Sequence, residues 1–205
     1  MDARERARAR QHLDRALYLA GLAQDPALTL RVWNSVSMLA HQQSNPAEAL
    51  AAGQAAKATA VTRRDPLHAS LAHARTAIAH AHLNESRQAL RALDLAEASL
   101  AKADLDRPRP SWVAFYGAAE LFALTAIVRD RLGAAAEAAS LKALAVLPDT
   151  FRRNRALTTA RLSLAQLHQG DIDQATATPR RSSTRCAAPR CPAACARCSA
   201  SSTAT

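Results

Sequence analysis

The sequence has few aromatic residues, few glycines and no long apolar run. Aromatic side chains make up 3% of the 205 residues and glycine occurs five times, which argues against a β fold. No apolar run reaches the roughly 20 residues that a membrane-spanning helix needs, and residues 1–15 are too charged for a signal peptide. We therefore expect a cytoplasmic protein without a membrane partner.

Small, helix-favouring residues supply most of the apolar content. Hydrophobic side chains make up 49% of the chain, and alanine is the most frequent of them. Alanine has the highest helix propensity, and its small side chain allows helices to pack closely. The composition therefore predicts an all-α fold.

The net charge of +10 is unevenly distributed. Five of the excess positive charges are arginines in the last 30 residues, which contain no acid. The preceding residues mix both signs, which favours solvated helix faces over a phosphate-binding surface. We therefore expect no nucleic-acid contact from the main body of the chain.

One pattern of small residues recurs at a spacing of 40. Ala16, Ala56 and Ala96 each follow an apolar or small residue three or four positions back and precede a polar break. Ala49 and Ala89 repeat the same spacing. A fixed period of this length is typical of repeat proteins built from short helical units.

Pairs of an acceptor and a proline mark where helices begin. In each pair a side-chain oxygen can cap the helix, and the proline is tolerated in the first turn. The pairs are Asp25-Pro26, Asn45-Pro46 and Asp65-Pro66. Later breaks lie at Leu132-Gly133, Leu147-Pro148-Asp149 and Gly170-Asp171, and the proline-rich stretch 104–112 is an inserted loop.

Between these breaks, apolar residues recur at helical spacing. The predicted helices cover residues 3–23, 26–43, 46–62, 66–83, 85–103, 111–132, 134–147, 150–169 and 171 to about 177. Taken in pairs, they form helical hairpins over residues 26–62, 66–103, 111–147 and from 150 onward. Stacked hairpins of this kind make an α-solenoid.

The second helices resemble the tetratricopeptide repeat (TPR) motif. That motif has a small residue, a bulkier one four positions later and a second small one seven positions after the first. The matching residues are Ala49, Gly53 and Ala56, then Ala89, Leu93 and Ala96, and segment 129–148 adds a Leu-Gly turn and a terminal proline. The period of about 40 rather than 34 and the missing aromatic positions depart from the motif. The resemblance implies a TPR-like right-handed α-solenoid over residues 1–177.

More narrowly, residues 3 to about 175 resemble the C-terminal repeat region of actinobacterial helix-turn-helix transcriptional regulators. The segments that carry this resemblance are RVWNSVSMLAHQQ, TAVTRRDPLHASLAHARTAIAHA, RPSWVAFYGAAELFALTAIVRDRLG and FRRNRALTTARLSLAQLHQGD. In that family the DNA-binding domain lies upstream, and no part of this chain matches it.

The resemblance implies a non-catalytic interaction or sensing module of a transcriptional regulator. Such a module binds a protein or peptide and passes a conformational bias to the DNA-binding domain, through which alone it contacts nucleic acid. It also allows a homo-oligomer. The alternative is a free-standing TPR scaffold protein that mediates protein–protein interactions.

Both ends of the chain depart from the repeat. Residues 3–23 carry the second-helix pattern without a partner helix before them, which predicts a fragment of a longer protein. Residues 178–205 hold all four cysteines, among Arg, Pro, Ser, Ala and Thr. Three interpretations of this tail compete: a zinc site, a disordered segment and a frameshift.

Codon arithmetic favours the frameshift. A cysteine codon read one base earlier becomes a codon for Leu, Met or Val, so the four cysteines become helix-compatible apolar residues. The spacings between Cys186, Cys191, Cys195 and Cys198 lack the two separated pairs usual in zinc sites. Resequencing the encoding locus tests the frameshift, and stoichiometric metal that disappears on deleting residues 176–205 would indicate the zinc site.

No catalytic motif is present. The sequence has no glycine-rich phosphate loop, no nucleophile elbow and no His-Glu-x-x-His, so we expect neither an enzyme nor a cofactor. Four histidines share one predicted helix, at positions 68, 73, 80 and 82. Converging ligands from another helix are not identifiable, so we expect no metal site.

The concave wall of a TPR array is made by first helices, and two basic turns lie near it. By motif alignment, this wall and these turns are expected to supply the partner-binding residues. They are Arg31, Asn34, His41, Arg63, Arg64, Glu120, Asp130, Arg152 and Arg155, with Met38 beside them. Such residues could hold a peptide through charge and hydrogen bonds. Trp33, Trp112, Phe115, Tyr116 and Phe122 are expected to anchor the core.

Overall fold

A computed structural model describes residues 5–134 and 136–185, and all regular structure in that part of the chain is helical. This confirms the all-α prediction. The helices are α1 (Arg6–Ala23), α2 (Pro26–Gln42), α3 (Pro46–Ala58), α4 (Ala60–Arg64), α5 (Pro66–His82), α6 (Ser86–Ala101), α7 (Ala118–Arg131), α8 (Glu137–Val146), α9 (Arg152–His168) and α10 (Ile172–Arg185). A short 3₁₀ turn covers Ser111–Val113. The four cysteines lie outside the described residues.

Three helices begin where the acceptor-proline pairs predict. The Asp25 carboxylate accepts the backbone N–H of Ala27 at 2.8 Å, and the Asn45 side chain accepts that of Glu48 at 3.2 Å. The Asp65 carboxylate accepts the N–H of Leu67 at 2.9 Å. Each acceptor satisfies a donor that the first turn leaves without an intrahelical partner.

Three predicted helix boundaries are wrong. Predicted helix 46–62 breaks at Thr59, whose hydroxyl caps α4 by accepting the N–H of Thr62. Predicted helix 111–132 begins instead at Ala118, because Gly117 is extended and Tyr116 is buried in the core. The last helix runs to Arg185 rather than ending at about residue 177, so it enters the segment expected to be a disordered tail.

One turn geometry ends four of the helices. Its left-handed residues are Ser44, Asn84, Gly133 and Gly170, with φ of 57°, 61°, 70° and 85°. In each turn the next residue donates its N–H to a carbonyl five positions back, as from Asn45 to Ala40 at 2.9 Å. The left-handed residue donates to a carbonyl three positions back, which completes a Schellman motif. Ser44 and Asn84 lie 40 positions apart, the spacing of the alanine repeat.

Contacts run mainly between neighbours in chain order. Helix α2 packs on α3, α5 on α6, α7 on α8 and α9 on α10, as the predicted hairpins require. Further contacts join α3 to α5, α5 to α7 and α7 to α9. The largest core cluster lies between α5, α6 and α7, where Leu71, Leu93 and Val128 are buried. No helix among the described residues is both long enough and apolar enough to cross a membrane.

The inserted loop is fixed to the first turn of α5. Arg109 donates to both carboxylate oxygens of Asp65, at 2.9 and 3.1 Å, and both side chains are about nine-tenths buried. Farther along, the Tyr116 hydroxyl lies 2.8 Å from that of Ser70, which donates to the Ala96 carbonyl at 2.7 Å. These bonds position the chain that leads into α7.

Gly53 marks the closest approach of α3 to α5. A Cβ atom added there would lie 2.7 Å from Cγ2 of Thr76, which is buried. Because Thr76 also donates its hydroxyl to the His73 carbonyl at 2.8 Å, rotating the side chain away would break a hydrogen bond. The small residue at the middle of the repeat motif is therefore required by contact with the next hairpin.

We expect Gly53→Ala to lower the free energy of unfolding. Overpacking costs about 1–3 kcal/mol, and the better helix propensity of alanine offsets about 1 kcal/mol of it. Thr76→Ser removes the clashing methyl group but keeps the hydroxyl, so the double variant should recover most of the loss. Urea unfolding of the four chains in a double-mutant cycle measures the coupling. An equal loss from Gly53→Ala in both backgrounds would show that the contact is not the cause.

Candidate functional site

Four helices wall one groove. It has a volume of about 640 Å³, and its walls are the first helices of successive hairpins, α2, α5, α7 and α9. Its apolar lining includes Met38, Ile78, Leu124, Ile127 and Leu157. Phe115, from the turn before α7, lies at the groove and is 42% exposed. We call this cavity the first-helix groove.

Three partly buried charged side chains face the groove without direct pairing. They are Arg75 on α5, Glu120 on α7 and Arg161 on α9. Among the described residues, no hydrogen bond and no ion pair within 4.0 Å joins the Glu120 carboxylate to either guanidinium. The Nε atom of Arg75 is fully buried and has no hydrogen-bond partner. The groove thus holds charges that are removed from water and incompletely compensated.

Burial dominates the electrostatics of these groups. It raises the pKa of Glu120, and the charges of Arg161 and Arg75 only partly oppose that shift. Burial also lowers the pKa of Arg75 and of Arg161, in each case against the attraction of Glu120. Desolvation therefore makes the charged form of each group less favourable here than in water.

His41 lines the groove and contacts a second histidine, His82. The rings of His41 and His82 meet edge to face, with centroids 4.9 Å apart. Burial lowers the pKa of His41, and His82, Arg161 and Arg75 add to the effect through their positive charge. Both histidines also line a neighbouring cavity of about 230 Å³, together with Asp130 and Arg161.

The structure brings only some of the predicted binding residues together. His41 and Glu120 line the first-helix groove, as does Met38. Asp130 lines the neighbouring cavity and lies 2.9 Å from Nδ1 of His168. Arg152 is exposed at the start of α9.

Other predicted binding residues do not line the groove. Arg31 is exposed to solvent on α2, whereas Asn34, on the same helix, is buried. Arg63 donates to the Ala58 carbonyl at 2.6 Å, and Arg155 donates to the carbonyls of Leu144 and Leu147. These two arginines pair with backbone near helix ends, where positive charge is favourable. Arg64 lines a separate cavity, beside Trp112 and the inserted loop.

Motif alignment missed Arg75 and Arg161. Each follows small or apolar residues on a first helix and resembles an ordinary exposed arginine in the sequence. The side chains of Arg153 and Asn154 also line the groove, within the basic turn that the sequence analysis placed near it.

The clustered histidines of α5 do not converge. His80 lies 2.6 Å from a carboxylate oxygen of Glu85, His82 meets His41, and the ring of His68 packs on that of Trp112 at 5.5 Å. Within residues 5–134 and 136–185, no group of three His, Cys, Asp or Glu side chains has the arrangement of a metal site.

Comparisons with protein-family models, with curated proteins and with solved structures gave no match.

The free energy of unfolding of Glu120→Gln, relative to that of the natural chain, should increase as pH rises. Because the folded-state pKa of Glu120 lies above its ordinary value of 4.5, the natural chain loses stability as pH rises from that value through the raised pKa. Glutamine is neutral throughout and avoids this loss. His41, Arg75, Arg153 and Arg161 face the same groove in both chains, so the difference isolates Glu120.

Urea unfolding of both chains at about pH 4 and pH 7 tests this prediction. The difference in free energy of unfolding should move in favour of Glu120→Gln at the higher pH. A constant difference, or one that moves the other way, contradicts the assignment of a raised pKa.

Proposed function

We propose that this chain is a non-catalytic interaction module that holds a protein or peptide partner in the first-helix groove. The observation that carries the proposal is the groove itself, about 640 Å³ in volume and walled by four first helices. Its lining combines exposed apolar side chains, such as Met38 and Leu157, with a few charged groups. Such a combination is typical of binding sites, where apolar contact supplies affinity and polar groups fix orientation.

The wider architecture proposed is a TPR-like right-handed α-solenoid. Two features support it: the Schellman turns at Ser44, Asn84, Gly133 and Gly170, and the contacts between successive hairpins. In a solenoid each unit packs mainly on its neighbours, and the concave wall serves for binding.

The wider role proposed is that of the sensing or oligomerising half of a helix-turn-helix transcriptional regulator. The sequence resemblance over residues 3 to about 175 supports this role. A partner that binds one arrangement of the hairpins more tightly than another would shift the equilibrium between them.

Selection of phage-displayed random heptapeptides on the full chain tests the interaction function. We expect enriched peptides to bind the natural chain and to lose at least about tenfold in affinity to Leu157→Glu. Leu157 lines the groove and is 48% exposed, so the substitution adds charge to the apolar wall without disturbing a buried contact. Titration of labelled peptides by fluorescence anisotropy measures the affinity.

Leu90→Glu is the matched control. Leu90 is 47% exposed on α6, and it does not line the groove. The control should bind the selected peptides as the natural chain does. Failure to enrich any peptide, or equal binding by Leu157→Glu, would overturn the proposed function.

A further inference from the structure

The first-helix groove contains an excess of positive charge. Arg75 and Arg161 line it, while Glu120 is the acidic residue among its lining side chains. His41 adds a neutral donor or acceptor, because burial lowers its pKa. Even a fully ionised Glu120 therefore leaves the groove electropositive, and an anionic ligand would complement it.

Both arginines have donors without acceptors among the described residues. Among the described residues, no hydrogen bond or close ion pair engages the guanidinium of Arg75 or of Arg161, and Nε of Arg75 is fully buried. A buried donor without an acceptor is costly, and a guanidinium presents its donors as a planar fork that matches a carboxylate. A carboxylate in the groove would therefore offer these guanidiniums matching acceptors.

We propose that the groove recognises a carboxylate on an apolar peptide, with Arg75 and Arg161 as its hydrogen-bond donors. This inference rests on the proposed function and specifies its ligand. The apolar side chains of Met38, Ile78 and Leu157 contact the rest of the peptide. The carboxylate supplies a negative charge opposite the two guanidiniums.

The size of the groove favours a peptide over a small organic acid. Its walls come from four helices, α2, α5, α7 and α9, and they enclose about 640 Å³. Pockets of roughly 300–1,000 Å³ enclose most of the surface of a drug-sized ligand, so several peptide side chains can be held together here. A single short-chain acid would leave much of the apolar lining without a contact.

The charge of Glu120 would oppose a second carboxylate in the groove. Glu120 already places one carboxylate near Arg75 and Arg161, and the ligand would bring a second. Two carboxylates sharing the arginines repel each other, because like charges at close range disfavour joint ionisation. Removing the charge of Glu120 should therefore strengthen ligand binding, an effect that a purely structural role would not produce.

The probes are two pools of labelled, acetylated heptapeptide amides composed of Ala, Leu and Val around one fixed central residue. That residue is Asp in one pool and its neutral isostere Asn in the other. We expect the full chain to bind the Asp pool about tenfold more tightly at pH 7, since hydrogen bonds to charged groups are stronger than neutral ones. Fluorescence anisotropy measures the binding.

Variants assign the effect to the groove. Arg75→Gln and Arg161→Gln should each abolish the preference for Asp, and Glu120→Gln should increase affinity for the Asp pool several-fold. Arg91→Gln, an exposed position on α6, is the control and should change neither. If an arginine variant folds poorly, the affinity of Glu120→Gln still decides the test. An affinity for the Asp pool that is unchanged or lower in this variant would contradict the proposal.

The outcomes separate the two proposals. The two pools could bind equally well, with Leu157→Glu weakening both. That result would overturn the carboxylate inference but support the peptide-binding function. Binding of neither pool would overturn the inference, while the phage selection decides the peptide-binding function independently. Binding of free octanoate but of neither pool would identify a small-acid site and overturn the inference.

Discussion

The fold depends on close approach between helices whose contact surfaces are made of small residues. Ala49, Ala89 and Ala143 lie on second helices and are buried, and Gly53 admits the Thr76 methyl group of the next hairpin. With so little side chain between the helices, each hairpin can pack directly on its neighbour. Because first helices α2, α5, α7 and α9 thereby become consecutive walls, this packing also creates the groove.

The sequence predicts the helices well because their end signals are local. Asp25, Asn45 and Asp65 cap the helices that follow them, and turns at Gly133 and Gly170 end helices at the expected breaks. The boundary errors have tertiary causes. The chain leaves helical geometry before Ala118, where the Tyr116 hydroxyl meets Ser70 from a helix 46 positions earlier, and no local pattern reports that contact.

The site was only partly predictable because sequence spacing identifies a helix face but not the depth of a side chain. His41 and Glu120 fell on the expected face and line the groove. Arg75 and Arg161 were missed because a partly buried arginine and an exposed one look alike in sequence. Arg63 and Arg155 were included because they are basic and lie near turns, yet their guanidiniums pair with backbone carbonyls.

Arg75 and Arg161 serve a ligand at the expense of stability in the function we propose. A charged group removed from water without a hydrogen-bonded partner costs free energy, and replacing it with an apolar residue of similar length removes that cost. The most direct measurement is urea unfolding at pH 7 of Arg75→Met and Arg161→Met, which keep much of the aliphatic packing. We expect neither variant to be less stable than the natural chain and at least one to be more stable. A loss of about 1 kcal/mol or more in both would show that the arginines hold the fold together, and would contradict a binding role.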